Sequence, residues 1–268
     1  TYVEVIRNIP LLLQIFFWYF AVLRSLPSPR QSIHWGELFF LNNRGAYLPA
    51  PIAEPGSGWA GWALLLAILV TVILFRWARL RQHQTGKTFP RWRVALGLMV
   101  ALPLLALAVK GFPLGWELPE LKGFNFKGGW VMIPELMALV TALSLYTASY
   151  IAEIVRAGIQ AVNRGQSEAA QSLGLSQGQT LRLIILPQAL RVIIPPLTNQ
   201  YLNLLKNSSL AAAIAYPEVV SVFAGTVLNQ TGQAVEVIGI TMGVYLLISL
   251  SISLFMNRYN RRMKLVER

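Results

Sequence analysis

One uninterrupted apolar run, GWAGWALLLAILVTVILF at about 59–76, most constrains what this chain can fold into. In water such a helix would expose hydrocarbon on every side. About 20 apolar residues wound as a helix cross a bilayer core, and the helix satisfies its own backbone polar groups there. The run therefore predicts a membrane span, fronted by Trp59 and Trp62, whose indoles suit the interface. Composition agrees. Only 13% of the residues are charged, against about 25% in ordinary soluble domains. A soluble oligomer with apolar contacts is the competing reading, and the low charge disfavours it.

Five further segments follow the same pattern. IPLLLQIFFWYFAVLRSLP, 9–27, has Pro10 near its start, and WRVALGLMVALPLLALAV, 92–109, has Pro103 as a kink site. A segment at about 129–155 begins GGWVMIPELMALVTALSLY and runs into the polar IAEIVRAG. Two more are expected at about 190–210 and 232–257. The stretch 205–231 suits a simple span poorly, because Lys206–Ser209, Pro217 and Gly225 interrupt it. It predicts a helix ending within the membrane and then a broken or re-entrant piece, which cannot face lipid.

The loops orient these segments. Residues 76–93 hold Arg76, Arg79, Arg81, Lys87, Arg91 and Arg93 with no acid. The tail after Asn257 holds Arg258, Arg261, Arg262, Lys264 and Arg268 against Glu267 alone. Both regions belong in the cytoplasm by the positive-inside rule. The organisation expected is a first segment at 1–27, an external loop at 28–58, two helices over 59–109 around the basic loop 77–91, and an external loop at 110–128. A core over 129–257 with a cytoplasmic hairpin at 165–187, and a cytoplasmic tail at 258–268, complete it.

Several chemistries are excluded. The net charge of +12 sits beside apolar segments rather than along an aromatic-lined groove, so no nucleic acid is expected. Cysteine is absent, and His34 and His83 stand apart, so neither a thiolate nor a metal-ligand pattern arises. Gly86-Lys87-Thr88 ends like a phosphate loop, but Arg81 stands where the first glycine is required. The chain should neither bind nor hydrolyse ATP, and no catalytic residue is expected. It opens on Thr1 without Met or a signal peptide, and an upstream part with further spans is expected.

The hairpin QSEAAQSLGLSQGQTLRLIILP, 166–187, is too polar to cross a bilayer. Ser167 is suited to cap a helix with Glu168 in its first turn and Ala169, Ala170 and Leu173 on one side. Gly174 can turn left-handed and stop that helix. Ser176 is suited to cap a second short helix carrying Leu181, Ile184 and Ile185, ended by Pro187. These features fit a connector packed on its own bundle and an interface with another protein equally well.

A resemblance separates them. Glu168-Ala169-Ala170, three residues, Gly174, nine residues, Ile184, one residue, Leu186-Pro187 resembles the EAA signature of ABC-importer permeases. YVEVIRNIPLL at 2–12, YTASYIAEIVRAGIQAV at 146–162 and LPQALRVIIPPLTNQYLNLLKNSSL at 186–210 resemble the polar amino-acid branch of that family. The resemblance implies an all-α polytopic transmembrane bundle of the type I importer class, about six spans being visible. It implies a multi-pass protein of the bacterial inner membrane that forms an amino-acid pathway and seats its hairpin, through Glu168, Ala169, Ala170, Gly174, Ile184, Leu186 and Pro187, on a cytoplasmic ATPase dimer. A second permease subunit, more readily a related sister chain than a copy, and an extracytoplasmic amino-acid-binding protein complete the implied complex. ATP and magnesium belong to the ATPase. An ion-coupled secondary transporter and a non-transporting scaffold are the alternatives, and the hairpin spacing argues against both.

Asn199, Asn203 and Lys206 recur at i, i+4 and i+7 and, with Asn207, Ser208 and Ser209, form the densest polar series. Amides and hydroxyls there can meet an amino acid's carboxylate and ammonium. Subunit packing and helix-end solvation are the other readings, and Lys206 is placed to neutralise Glu153 or Glu218. Glu153 and Arg156, three apart on a helix, are candidates for core structure or coupling. Glu135 is read as facing the outer aqueous surface or a cationic amino group. Arg7, ahead of Pro10, fits the family's RxxPL element, a structural motif.

Overall fold

The computed structural model describes residues 2–55, 57–85, 89–109, 111 and 114–263. Gly86-Lys87-Thr88, Lys110, and Lys264, Glu267 and Arg268 of the tail lie outside the described residues. Helix dominates. In chain order come α1 (Tyr2–Asn8) and α2 (Leu11–Phe16), the latter continued by π-helical turns over Phe17–Leu23. Short strands follow: β1 (Ile33–Trp35), β2 (Phe39–Asn42), β3 (Gly45–Leu48) and β4 (Ala50–Ala53). The helices α3 (Gly58–Thr85) and α4 (Arg91–Val109) lead to β5 (Leu114–Glu117), β6 (Glu120–Lys122), β7 (Asn125–Lys127) and β8 (Trp130–Met132). Then come α5 (Pro134–Gln160), α6 (Arg164–Ser172), α7 (Gln177–Thr180), α8 (Leu186–Ser208), α9 (Leu228–Thr231) and α10 (Ala234–Met263). Among the described residues five helices are long and apolar enough to span, or six if the bent pair α1–α2 makes one.

The expected span at 9–27 is not one straight helix. Pro10 lacks an N–H and confines Ile9 to extended backbone, so α1 stops at Asn8 and the chain turns by 101°. The Pro10 carbonyl restarts the helix by accepting from Leu13 N and Gln14 N. The Gln14 amide fastens the elbow, donating to the carbonyls of Ile6 at 2.8 Å and Ile9 at 3.0 Å.

Two other boundaries move. The segment expected at about 129–155 begins instead at Pro134, because Gly128 and Gly129 adopt φ of 77° and 71° and Trp130–Met132 is a strand. Proline suits the first helical turn, where its missing N–H costs nothing. The expected stop at Pro187 also fails. π-helical turns over Leu181–Ile185 carry α7 into α8, so one apolar stretch runs Gln177–Ile214. A wide π turn ahead of Pro187 accommodates a residue that cannot donate to the ladder.

The expected break comes later than Lys206–Ser209, which α8 and its continuation carry as helix. The end of α8 tightens to a 3-10 helix over Ser209–Ile214, and Ala215 turns left-handed at φ 58°. Another π-helical piece, Ser221–Val227, and α9 follow, and Gly232 at φ 68° releases the chain into α10.

The chain divides into two compact units. The first holds residues 1–28, 42–45 and 132–268. Leu11, Ile15, Tyr19 and Leu23, four residues apart, pack with Ala138, Leu139, Ala142 and Leu143 of α5 and with Ala211 and Ile214. The alanines at 138 and 142 let α2 approach α5 closely. α5 and α8 pack closely at Gly158, where a Cβ would overlap the Ile193 side chain.

The second unit holds residues 29–41 and 46–131. Its helices are α3 and α4, apolar on nearly every side, with small residues at their buried positions: Ala67, Thr71, Ala78 and Ala95. The expected external loops contain β1 to β7, and β8 follows directly after them, so the fold is mostly rather than wholly helical. The strands β1, β2, β3 and β8 follow in that order in one sheet, and β4 pairs with β5 and β6 with β7, each antiparallel. Phe126 stacks on Phe40 and Tyr47, and the Tyr47 hydroxyl donates to Asn125 Oδ1 at 2.9 Å.

Candidate functional site

The hairpin between α5 and α8 is built by capping. Asn163 Oδ1 accepts from Gly165 N at 2.8 Å and starts α6. Ser167, expected as the cap, lies inside the helix, and Glu168 lies beyond its first turn. Asn163 starts the helix a full turn earlier because asparagine is as good a cap as serine. At the far end Gly174 N donates to Gln171 O and Leu175 N to Ala170 O, with Gly174 left-handed at φ 73°. That is a Schellman closure, which a residue with a Cβ resists. Ser176 caps α7 reciprocally with Gln179.

The expected stripe of Ala169, Ala170 and Leu173 splits in two. Ala170 is buried and Ala169 is exposed, while Leu173 is 79% exposed. α6 packs on the Leu181–Ile185 turns, so Ala170 closes the hairpin internally. Glu168, Ala169 and Leu173 form its outward surface. On the return limb Ile184 is half-buried, while Leu186 and Pro187 are exposed.

A polar recess of about 200 Å³ lies between α5 and α8. Tyr146, Thr147 and Tyr150 line it from α5, and Gln200, Asn203, Leu204 and Asn207 line it from α8. The hydroxyls of Tyr146 and Tyr150 stand 3.2 Å apart. No charged side chain is among these residues. Thr147 stands at the midpoint of α5, so the recess opens at mid-depth of that span. Beside it, sharing Thr147 and Leu204, a cleft of about 1080 Å³ between α5, α8 and α10 presents a mainly apolar surface, with hydroxyls of Ser144, Ser208 and Ser251 among its lining residues.

The structure brings Asn203 and Asn207 to the recess but not Asn199 or Lys206, both exposed. The lining face of α8 is 200, 203, 204 and 207, rotated from the expected 199, 203 and 206. Ser208 lines the apolar cleft, with its hydroxyl donating to Leu205 O at 2.7 Å. The Ser209 hydroxyl donates to Lys206 O at 2.6 Å. Tyr146 and Tyr150 were not anticipated. Their i, i+4 spacing within YTASY was the available signal.

Glu153 and Arg156 pair at 2.6 Å, and Arg7 stands 4.0 Å from the same carboxylate. The Arg7 guanidinium also lies 5.0 Å from the centre of the Tyr150 ring. The elbow at α1 thus touches a phenol that lines the recess. Lys206 neutralises neither expected acid, having no ion pair among the described residues. Glu218 instead accepts from Val220 N, Ser221 N and the Tyr245 hydroxyl, holding the broken segment to α10. Glu135 is half-buried and accepts from the Tyr19 hydroxyl at 2.7 Å. Its role here is to tie α2 to α5.

Residues 92–265 match the family described as binding-protein-dependent transport system inner membrane component. YhdX of Escherichia coli K12, which carries a provisional amino-acid ABC transporter permease name, is 61% identical over 269 residues, covering all of this chain and 68% of that protein. The general L-amino acid transport system permease protein AapQ of Rhizobium johnstonii is 54% identical over 268 residues, covering all of this chain and 67% of that protein. A crystal structure of an amino acid ABC transporter with histidines aligns with a TM-score of 0.45 at 28% identity, over 76% of this chain and 90% of that one. On the family match and these two sequence relatives, the chain belongs to the inner membrane components of binding-protein-dependent transport systems.

Proposed function

We propose that the chain is the permease subunit of an ATP-driven amino-acid importer, with the polar recess of α5 and α8 on its translocation pathway. The observation that carries this reading is the mid-span recess itself: two phenols and three amides, without charge, in a chain of this family. Amide N–H groups can meet a carboxylate, while amide carbonyls and phenol oxygens can meet an ammonium. A zwitterion passing such a site leaves no net charge unpaired in the membrane. The relatives' names, general L-amino acid among them, agree with that chemistry.

The basic loop, the hairpin and the tail face the cytoplasm in this reading, and the strand-bearing segments face outward. The hairpin seats on a cytoplasmic ATPase dimer through Glu168, Ala169 and Leu173, with Gly174 setting its turn. Ile184, Leu186 and Pro187 shape the return limb. Glu153 and Arg156 brace the inner end of α5. A second permease subunit, a related sister chain, completes the pathway, and an extracytoplasmic amino-acid-binding protein delivers substrate. The ATPase binds ATP and magnesium. Its cycle shifts the permease between outward-open and inward-open populations, which a substrate of equal affinity for both cannot do.

The test is uptake into proteoliposomes holding both permease chains, the ATPase and the binding protein, with unlabelled amino acids as competitors. Flux should need every component. Flux that persists without the ATPase and follows an ion gradient would establish a secondary transporter. Substrate-stimulated ATP hydrolysis without flux would establish a scaffold. Asn203→Leu should raise the KM for uptake without loss of assembled complex.

A further inference from the structure

The last turns of α10 carry a feature that transport leaves unused. Leu254, Asn257, Arg258 and Arg261 recur at i, i+3, i+4 and i+7, so they form one stripe on the helix, and together they line a recess. Neither arginine has an ion-pair partner among the described residues. The apolar stretch of α10 runs Ala234–Arg261. Both guanidinium groups therefore stand where hydrocarbon gives way to headgroups. One turn deeper than Arg258 on the same stripe, Leu254 is 71% exposed, so the basic floor continues into an apolar wall.

The ligand chemistry follows from that juxtaposition. Two guanidinium groups three residues apart on one stripe, each a planar fork of N–H donors, match the oxygens of a phosphate better than a point charge would. The helix C-terminus contributes only about half a negative charge, too little to neutralise them. A free anion would leave Leu254 uncovered, and a soluble partner would not reach hydrocarbon depth.

We propose that this stripe binds an acidic phospholipid. Arg258 and Arg261 hold its phosphate, the Asn257 amide donates to it, and an acyl chain lies along Leu254. A zwitterionic lipid competes poorly because its own cation already sits on the phosphate.

The test is native mass spectrometry of the detergent-solubilised chain with phosphatidylglycerol, phosphatidylcholine or inorganic phosphate as probe. The chain should retain phosphatidylglycerol in preference to phosphatidylcholine. Arg258→Gln/Arg261→Gln should weaken that binding about 30-fold, from two basic side chains at the headgroup surface. Arg261→Gln alone, for the case where the double variant does not fold, should weaken it about 5-fold. The control Arg76→Gln/Arg79→Gln, which removes equal charge from the basic loop, should leave it unchanged. Four results would overturn the site: unaltered binding in the Arg258/Arg261 variants, equal loss in the control, equal retention of phosphatidylcholine, or displacement of the lipid by inorganic phosphate.

Discussion

Leu173 gives the sharpest test of the hairpin. It caps the exposed end of α6 with 79% of its surface exposed. Fully burying a leucine side chain contributes roughly 1.5–3 kcal/mol. About four-fifths of that remains to be gained if the residue inserts into an ATPase groove, so Leu173→Ser should weaken docking by about 1.2–2.4 kcal/mol, roughly 8- to 60-fold. The same change should alter the fold's own stability by no more than about 0.5 kcal/mol, because the site is at the surface. Calorimetric titration of the purified ATPase onto the detergent-solubilised permease pair measures the first quantity, and thermal unfolding of the permease measures the second. Docking as tight as wild type in a stably folded Leu173→Ser protein would refute the reasoning, since the outward face of α6 would then bury nothing.

Three further outcomes follow from the geometry. Gly174→Pro removes the N–H that bonds Gln171 O and demands φ near −65° where the chain adopts 73°; the bundle should still assemble, while substrate-stimulated ATP hydrolysis and uptake in proteoliposomes fall together. Gly158→Val drives a side chain into Ile193 and should cost about 1–3 kcal/mol in unfolding measurements, with partial rescue by Ile193→Ala. Arg7→Ala removes a cation–π contact with Tyr150, worth about 0.5–1 kcal/mol at an exposed site; uptake should show a raised KM with little change in maximal rate, and Arg7→Lys should keep most of the wild-type value.

The spans were readable from the sequence because a bilayer imposes one rule, a long apolar run, that needs no knowledge of neighbours. The break ahead of Pro217 was readable for the converse reason, since proline violates that rule visibly, but the polar Lys206–Ser209 does not interrupt the helix, which runs on to Ile214. What failed were judgements that depend on which neighbour arrives. Pro187 looked like a helix end, yet π turns over Leu181–Ile185 absorb it. Ser167 looked like a cap, yet Asn163 is an equal cap one turn earlier. Residues 28–58 and 110–128 looked like plain loops, since strands of three or four residues carry too few alternations to register.

The rotation of the α8 face shows the same limit at the candidate site. Asn199, Asn203 and Lys206 are the most polar helical set, and polarity alone selects them. Helix packing selects differently. α5 meets α8 along Gly158–Ile193, and that line of approach turns Gln200, Asn203 and Asn207 towards Tyr146 and Tyr150 while leaving Lys206 outside. An ammonium in a mid-span recess would need an acid beside it, and the two candidates are already engaged, Glu153 by Arg156 and Arg7, Glu218 by two backbone amides and Tyr245. The charge-free recess and the outward lysine are therefore one consequence, not two. Placing Lys at 203 should disrupt folding or empty the recess, whereas Lys206→Gln should leave the recess and its transport kinetics intact.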